Sequence, residues 1–453
     1  MNVENAAAAA LAGLLPAEQP AGASMPADQR LREFFRNHPA LGKRDRQQVG
    51  DLVFDALRNL RLYLALAEQG IGKPGQAGQR GASGVQQGDV ARGGSTRAAA
   101  GKDTAPAKEA LARARRLIAV AGLVGPDSSG RQGVPEVHGR PKDGAAGGTS
   151  PLATGADVIA AAAAGLDAAV RYSLPDWLWE RLQASHGDRA DAIAAALLQP
   201  SPIDIRVNLL VGKAGELARR LREQGVASEP IAGVPTGLRI LGRFNLEKLD
   251  LFERGWFEIQ DAGSQRIVDF SAPRRGQLVV DFCAGAGGKT LALAARMRNA
   301  GKVLAFDTGS ERLSRLMPRA QRARVAIVEP MRLDGVDDVR LARYRRRADL
   351  VLVDAPCSGT GTLRRSPDMK WRLTPKRLQQ HVAEQRAILA AAAGLVKPGG
   401  TLVYATCSLL REENEQQAAD FQSAGFELVE TRTWLPDEGP SSGFFVAKWV
   451  LQA

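Results

Sequence analysis

Cysteine is scarce in this chain, and its spacing excludes two common ways of stabilising a protein. Only Cys283, Cys357 and Cys407 occur among 453 residues, too few and too far apart for a disulfide framework or a structural zinc site. A reducing compartment is therefore expected, and no bound metal is predicted.

Long apolar runs are absent as well. Residues 6–15 are apolar, but Glu4 rather than a basic segment precedes them, which argues against a secretory signal. Residues 158–170 are interrupted by Asp167 and are too few to cross a bilayer. We therefore expect a cytoplasmic protein that does not contact a membrane.

Acidic residues are outnumbered by basic ones. The 61 Lys and Arg residues exceed the 49 Asp and Glu residues, which leaves a formal net charge of +12, and 48 of the 61 are arginine. Because a guanidinium binds phosphate through two hydrogen bonds, this balance favours a polyanionic partner. Hydrophobic residues make up 44% of the chain, which excludes disorder throughout.

The first part of the chain is predicted to be helical and interrupted. Apolar residues recur at helical spacing in three segments, 29–68, 107–123 and 156–170. The intervening stretches are rich in Gly and polar residues and contain too little apolar surface to offset the entropy of ordering. We predict a helical domain over 1–172 with disordered insertions at about 70–106 and 125–155.

A small α/β subdomain is predicted within residues 173–270. A strand-like run at 203–210 precedes a helical pattern at 215–224, and shorter strand-like runs follow at 238–240 and 256–259.

Residues 271–453 are predicted to form a parallel, doubly wound sheet. Short β-branched runs alternate with helical patterns there, as is typical of α/β folds. The predicted strands are 278–282, 303–306, 325–328, 350–353 and 401–404, and the predicted helices are 290–298, 310–323 and 375–395.

A glycine-rich loop, residues 283–290, follows the first of these strands. A Walker loop would need glycine where Cys283 stands, and a dinucleotide fingerprint would need glycine where Thr290 stands. The shorter turn fits a ligand without a pyrophosphate, such as S-adenosylmethionine. Asp307 ends the second strand, where a carboxylate can accept both ribose hydroxyls of a nucleoside. A purely structural turn with a capping aspartate is the alternative.

Two of the three cysteines follow predicted strands. Cys357 comes after strand 350–353 and Cys407 after strand 401–404, so both are expected at the carboxyl edge of the sheet, where ligands bind. Either cysteine alone is compatible with a small buried apolar residue. For Cys283, at the start of the glycine loop, we predict a packing role.

A basic segment follows Cys357. Residues 364–377 contain six Lys or Arg residues and one carboxylate, with a tryptophan among them, as a base-stacking surface would. A solvated loop is the alternative. The residues predicted to bind RNA are Arg364, Arg365, Lys370, Trp371 and Arg372.

Several segments form a recognisable set. They are Asp-Phe-Cys-Ala-Gly-Ala-Gly-Gly-Lys-Thr (281–290), Asp-Ala-Pro-Cys-Ser-Gly-Thr-Gly (354–361), Arg-Arg-Ser-Pro-Asp (364–368), Tyr-Ala-Thr-Cys-Ser (404–408) and Glu-Glu-Asn-Glu (412–415). In order and spacing they resemble the Sun/Fmu family of RNA cytosine-5 methyltransferases, and the resemblance covers about 173–453. In one place the chain differs, because Gly285-Ala286 stands where the commonest family form has Ala-Pro.

The resemblance implies a fold. It predicts a Rossmann-like, seven-stranded methyltransferase sheet of the S-adenosylmethionine-dependent type in 271–453. An RRM-like α/β subdomain is expected before it, within 173–270. Residues 1–172 are similar to the all-α, NusB-like RNA-binding domain of the bacterial rRNA branch of the family.

The resemblance also implies roles for the catalytic residues. Cys407 is expected to be the nucleophile and Cys357 to assist product release, the reverse of the arrangement in DNA cytosine methyltransferases. Asp354 is expected near the N3/N4 edge of the cytosine. Lys289 is expected to face the catalytic centre, although a structural or phosphate-binding role is equally open.

S-adenosylmethionine is the expected cofactor. The residues expected to bind it are Cys283, Ala284, Gly285, Ala286, Gly287, Gly288, Lys289, Asp307, Arg312, Asp334 and Asp354.

The function expected from the resemblance is methylation of RNA, with 16S rRNA as the expected substrate, at C5 of cytosine by a monomeric enzyme. A non-catalytic RNA-binding or ribosome-assembly factor on the same fold is the alternative. A DNA methyltransferase is disfavoured by the Thr406-Cys407-Ser408 site and by the helical first domain.

Overall fold

The computed structural model describes residues 2–15, 25–69, 71, 105–124 and 161–452. The predicted insertions at about 70–106 and 125–155 fall almost entirely outside these ranges. The chain divides into two compact units, one of residues 1–179 with 366–372 and the other of residues 180–365 with 373–453.

The first unit is helical, as predicted. Its helices bury Leu11, Val53, Leu57 and Leu117 in one apolar core, because these residues lie on the inward faces of amphipathic helices. The helices are α1 (Val3–Ala12), α2 (Ala27–Asn37), α3 (Lys43–Arg58), α4 (Leu60–Glu68), α5 (Ala105–Val124) and α6 (Ala168–Arg171). The next helix, α7 (Asp176–His186), spans the boundary between the units, and α8 (Ala190–Leu197) belongs to the second unit.

A four-stranded antiparallel sheet begins the second unit and confirms the predicted α/β subdomain. Its strands lie in the order β2-β3-β1-β4. Leu217 and Leu221 of one helix pack on Ile205 and Phe257 of the sheet. The elements are β1 (Ile203–Val207), α9 (Ala214–Glu223), β2 (Ser228–Ile231), β3 (Val234–Ile240), α10 (Asp250–Glu253), β4 (Phe257–Ile259) and α11 (Ala262–Ser271).

A seven-stranded sheet follows and confirms the predicted fold class. The strand order is β10-β11-β9-β8-β5-β6-β7, in which the five strands from β9 to β7 are parallel and β11 and β10 are antiparallel to their neighbours. The strands are β5 (Leu278–Asp281), β6 (Lys302–Asp307), β7 (Val328–Arg332), β8 (Ala348–Asp354), β9 (Val396–Thr406), β10 (Phe426–Trp434) and β11 (Phe444–Leu451).

Helices cover both faces of this sheet, and apolar residues of alternate orientation along each strand fill a core on each face. The helices of the second unit in this region are α12 (Gly288–Arg296), α13 (Ser310–Ser314), α14 (Leu316–Arg322), α16 (Pro375–Ala393) and α17 (Glu415–Asp420). The short helix α15 (Met369–Arg372) belongs to the first unit. None of the helices in the described ranges has the length and hydropathy needed to cross a bilayer.

The strand predicted at 325–328 is placed too early. Arg324 adopts a left-handed backbone with a φ of 57°, and the Val325 N–H donates to the Ala320 carbonyl at 2.8 Å. A left-handed residue followed by such a hydrogen bond is a common helix C-cap. The apolar residues at 325–327 therefore follow the C-cap of α14, and β7 begins only at Val328.

The segment 366–372, predicted to contact RNA, packs as part of the helical unit. Lys370 is 3% exposed, and its ammonium donates to the Arg58 carbonyl at 2.7 Å. Burial, reinforced by the charge of Arg58, holds the pKa of Lys370 well below its usual value. The Trp371 indole N–H donates to the Leu57 carbonyl at 2.9 Å. Both side chains therefore have structural contacts, and we withdraw them from the predicted RNA-binding set.

Trp371→Phe tests this correction. The change keeps an aromatic ring but removes the hydrogen bond to Leu57, so the free energy of unfolding is expected to fall by about 1 kcal/mol. Urea denaturation measures it. Trp177→Phe is the matched control, because the structure gives no indole hydrogen bond for Trp177 within the described part of the same unit. Weakened RNA binding at unchanged stability would restore Trp371 as an RNA contact.

Gly287, at the start of α12, is required by both backbone and packing. Its φ is 86°, and a Cβ there would lie 2.0 Å from Leu316 Cδ1. Gly287→Ala should therefore be more destabilising than Gly276→Ala. Gly276 has a similar φ of 84°, but a Cβ added there would meet nothing within 4 Å. Backbone strain alone costs roughly 1–3 kcal/mol in each variant. If urea denaturation shows the same decrease in the free energy of unfolding for both variants, the Leu316 side chain moves aside without an energetic penalty.

Candidate active site

Parallel pairing brings the predicted site residues to one edge of the large sheet. Asp354 at the end of β8 is in register with Ala405 of β9, and Asp281 at the end of β5 is in register with Ala305 of β6. The segments that follow these strands therefore all begin at the carboxyl edge. This edge is where open α/β sheets bind their ligands.

The glycine loop turns over the end of β5 and leads into α12. Gly285 and Gly287 both have positive φ, of 55° and 86°. A Cβ on Gly285 would meet nothing within 4 Å, so this part of the loop borders open space. The loop is thus shaped for close approach of a ligand to its backbone.

Asp307 holds the glycine loop in place. Its Oδ2 accepts from the Gly285 N–H at 2.7 Å, and its Oδ1 accepts from the Gly309 N–H at 2.6 Å. Arg312 also reaches Oδ1, at 3.1 Å. Asp334 is exposed, after β7, and the neighbouring Leu333 N–H donates to the Asp307 carbonyl at 3.0 Å. The structure thus brings the predicted residues Asp307 and Arg312 together, whereas the carboxylate of Asp334, in the next loop, pairs with Arg340 at 3.4 Å.

Two arginines that were not predicted support the loop from behind. The buried Arg206 donates to the Gly288 carbonyl at 2.7 Å and to Gln260 Oε1 at 2.6 Å. Arg319 donates to the Ala286 carbonyl at 2.7 Å and pairs with Glu258. Neither arginine is among the residues expected from the sequence to bind the cofactor, because both meet the loop only through the tertiary fold.

Lys289 and Asp354 form an ion pair at the centre of the site. Lys289 Nζ lies 2.5 Å from Asp354 Oδ2, and the Lys289 side chain is 11% exposed. Burial lowers the pKa of Lys289. The interaction with Asp354 and a weaker one with the Cys407 sulfur raise it by more, so the net shift is upward. The ammonium is therefore placed to attract negative charge on Cys407.

The two cysteines face each other. Cys357 Sγ lies 3.3 Å from Cys407 Sγ, and both residues are partly exposed. A hydrogen bond to Cys407, burial and the charges of Cys407 and Glu413 together raise the pKa of Cys357 well above its usual value. Its surroundings, among them the carboxylate of Glu413, thus disfavour a thiolate at Cys357.

Cys283 lies in a different environment. Burial, with the carboxylates of Asp281, Asp354 and Asp307, raises the pKa of its thiol well above the usual value. Its side chain packs against the apolar core under the sheet. A neutral, packed thiol agrees with the packing role predicted for Cys283.

The remaining predicted RNA contacts differ in exposure. Arg364 is 6% exposed and donates to the Gly439 carbonyl at 3.2 Å, so it points into the protein. Arg365 pairs with Asp261 at 2.9 Å with 45% of its side chain exposed, and Arg372 pairs with Asp368 with 32% exposed. Arg365 and Arg372 are thus the two of the five that keep exposed guanidinium groups.

The comparisons with known proteins agree with this geometry. A family model described as 16S rRNA methyltransferase RsmB/F matches residues 269–450, and a model for the ferredoxin-like domain of RsmF/B-like methyltransferases matches residues 174–247.

Individual relatives show the same similarity. A "Probable ribosomal RNA small subunit methyltransferase B" of Synechocystis sp. is 34% identical over 61% of this chain and 66% of its own length. The "Ribosomal RNA small subunit methyltransferase B" of Citrobacter koseri is 35% identical over 62% of this chain and 67% of its own length. The matched part therefore amounts to about two thirds of these relatives.

A solved structure of a methyltransferase homologue from Pyrococcus horikoshii shares the fold. It is 29% identical, has a TM-score of 0.56, and the match covers 63% of this chain and 98% of that one. The chain therefore belongs to the RsmB/F family of S-adenosylmethionine-dependent methyltransferases.

Proposed function

We propose that this protein methylates C5 of a cytosine in small-subunit rRNA through a covalent bond between Cys407 and C6 of the base. The observation that carries the proposal is the pair of sulfurs 3.3 Å apart at the carboxyl edge of the sheet, beside the Lys289–Asp354 ion pair. Methylation at a ring carbon needs a nucleophile of this kind, because C5 of cytosine is a poor nucleophile until the ring is activated.

The names of the relatives support an rRNA substrate. The names of both relatives described above contain "ribosomal RNA small subunit methyltransferase B", and the family model is described as 16S rRNA methyltransferase RsmB/F. The net charge of +12 also suits a polyanionic substrate. Arg365 and Arg372 are the predicted contacts that keep exposed guanidinium groups for phosphate.

The residues at the sheet edge fit S-adenosylmethionine. The open space above Gly285 leaves room for a ligand against the loop backbone, and Asp307 and Asp334 supply carboxylates of the kind that bind ribose and adenine. We assign Gly285, Asp307, Arg312 and Asp334 to cofactor binding. When bound, S-adenosylmethionine supplies the methyl group that the activated C5 accepts.

The chain's own residues supply the activation. The Cys407 thiolate adds to C6, a C6–S bond forms, and the electron pair of the C5–C6 double bond moves into the ring and makes C5 nucleophilic. Asp354 is proposed to lie near the N3/N4 edge, where a carboxyl group stabilises the protonated adduct. After C5 has accepted the methyl group, a base takes the C5 proton, the electron pair of the C5–H bond re-forms the C5–C6 double bond, and the electron pair of the C6–S bond returns to Cys407.

The electrostatic asymmetry of the pair supports this division of roles. The ammonium of Lys289 interacts electrostatically with Cys407, whereas the carboxylate of Glu413 helps to raise the pKa of Cys357. Cys357 is therefore proposed to remain a thiol and to assist release of the product.

Alanine variants of the two cysteines test the roles. Cys407→Ala cannot form the C6 bond and is expected to show neither methylation nor a covalent complex. Cys357→Ala is expected to attack and methylate, then to stall with RNA attached through Cys407. Denaturing electrophoresis with an RNA that contains the target cytosine should show a protein–RNA band for Cys357→Ala alone.

An RNA with uridine in place of the target cytosine is the control, and it should give no band with either variant. The opposite pattern of bands would exchange the roles of the cysteines. Methylation retained in both variants, with no band, would remove covalent catalysis.

Asp307→Ala tests the cofactor site. The variant loses the carboxylate that is proposed to accept from ribose and that also holds Gly285, so S-adenosylmethionine binding should weaken by roughly 1.5–3 kcal/mol for each hydrogen bond lost. Calorimetry measures the affinity. Asp337→Ala, which changes an exposed carboxylate in the loop after β7, is the control. Unchanged affinity in a folded Asp307→Ala variant would contradict the assignment.

A further inference from the structure

A buried carboxylate lies behind the cysteine pair. Glu413, in a short 3₁₀ turn after β9, is 0% exposed. Its oxygens accept from the Ser358 N–H at 2.8 Å, the Ser358 hydroxyl at 2.5 Å and the Gln385 amide at 3.0 Å. No Lys or Arg in the described ranges forms an ion pair with it. A buried carboxylate with hydrogen-bond donors but no cation exerts its charge on whatever lies next to it.

The neighbour of this carboxylate is the loop that carries Cys357. Ser358, which directly follows Cys357, gives Glu413 both its backbone N–H and its hydroxyl. Gln385 donates to the Pro356 carbonyl at 2.9 Å as well as to Glu413. The residues on both sides of Cys357 are thus tied, directly or through one side chain, to Glu413.

The next residue along the chain holds the other cysteine. The Asn414 amide donates to the Ser408 carbonyl at 2.9 Å, and the Thr406 hydroxyl donates to Asn414 Oδ1 at 2.5 Å. Ser408 and Thr406 flank Cys407. The hydroxyls of Ser358 and Ser408, 3.2 Å apart, join the two loops directly. Two adjacent residues, Glu413 and Asn414, therefore hold one cysteine loop each.

The two cysteines have different charged neighbours. Besides each other, the ionisable groups that interact with one of the two cysteines are Lys289, which interacts with Cys407, and Glu413 and Tyr404, which interact with Cys357. Of these, only Glu413 hydrogen-bonds a residue next to Cys357 in the described structure. Burial raises the pKa of Glu413, and the hydrogen bonds from Ser358 and Gln385 oppose that shift by stabilising the ionised form.

We propose that Glu413 is a positioning residue of the cysteine pair, which holds the Cys357 loop against the Cys407 loop and keeps the proton of the pair on Cys357. The inference rests on the proposed function for its catalytic meaning. When the C6–S bond breaks, its electron pair stays on the Cys407 sulfur, and a protonated Cys357 at 3.3 Å donates a hydrogen bond to that sulfur. Glu413 thus acts on product release through Cys357, without touching the substrate.

The test measures the two thiols without RNA or cofactor. The full-length protein is treated briefly with iodoacetamide across a pH series, and mass spectrometry of the peptides gives the alkylation rate of each cysteine. In Glu413→Gln, which keeps the shape of the side chain but removes its charge, the midpoint for Cys357 should move down by about one pH unit. This corresponds to about tenfold more thiolate at a pH below both midpoints.

Glu412→Gln is the matched control. It makes the same chemical change one residue away, at a carboxylate that pairs with Arg181. The Cys357 midpoint should not move in this variant, and Cys283 serves as an internal standard in every sample. An unchanged Cys357 midpoint in a folded Glu413→Gln protein would overturn the proposal.

Glu413→Asp separates position from charge and serves if Glu413→Gln does not fold. The shorter side chain keeps the charge but cannot reach both groups of Ser358, so the Cys357 midpoint should stay near that of the wild type while turnover in RNA methylation slows at least tenfold. A wild-type rate of methylation in this variant would overturn the positioning role. If the wild-type protein does not methylate the RNA at all, the proposed function fails, and the alkylation result still decides the effect of Glu413 on Cys357.

Discussion

The candidate site depends on the register between two parallel strands. Asp354 of β8 is paired with Ala405 of β9, so Cys357, three residues beyond the first, and Cys407, two residues beyond the second, leave the sheet side by side. A shift of one residue would turn every β9 side chain to the opposite face. The contact between the sulfurs at 3.3 Å therefore requires the apolar cores on both sides of the sheet to hold this register.

Around the two sulfurs, burial strengthens electrostatic interactions because water does not screen them. Lys289 and Asp354 are close enough to satisfy each other, and their pairing allows an ammonium to lie in a largely buried place. Glu413 is satisfied by hydrogen bonds alone, so its charge is not cancelled locally. Two sulfurs of the same chemical type thereby acquire different environments, and this difference is the physical basis for giving them different roles.

Much of the fold follows from local pattern. The strands around 278–282, 303–306, 350–353 and 401–404 were predictable because short β-branched runs alternate with amphipathic helices. The strand predicted at 325–328 was wrong, because an apolar run does not reveal whether it closes a helix or begins a strand. Lys370 and Trp371 were misassigned for a related reason. A Lys-Trp pair in a basic segment looks solvated in sequence, whereas their hydrogen bonds go to carbonyls about 310 residues earlier in the chain.

The sequence by itself determined the family and the cofactor class. Its glycine loop excluded pyrophosphate-binding motifs, and its two cysteines after strands, in family order, indicated a thiol nucleophile beside a nucleoside cofactor. Only the tertiary structure decided which charges surround each sulfur, because Lys289, Cys357 and Glu413 are widely separated along the chain and meet only when the sheet forms. Electrostatic interactions depend on distance and burial rather than on sequence order, so only the folded structure shows how the surroundings of Cys357 and Cys407 differ.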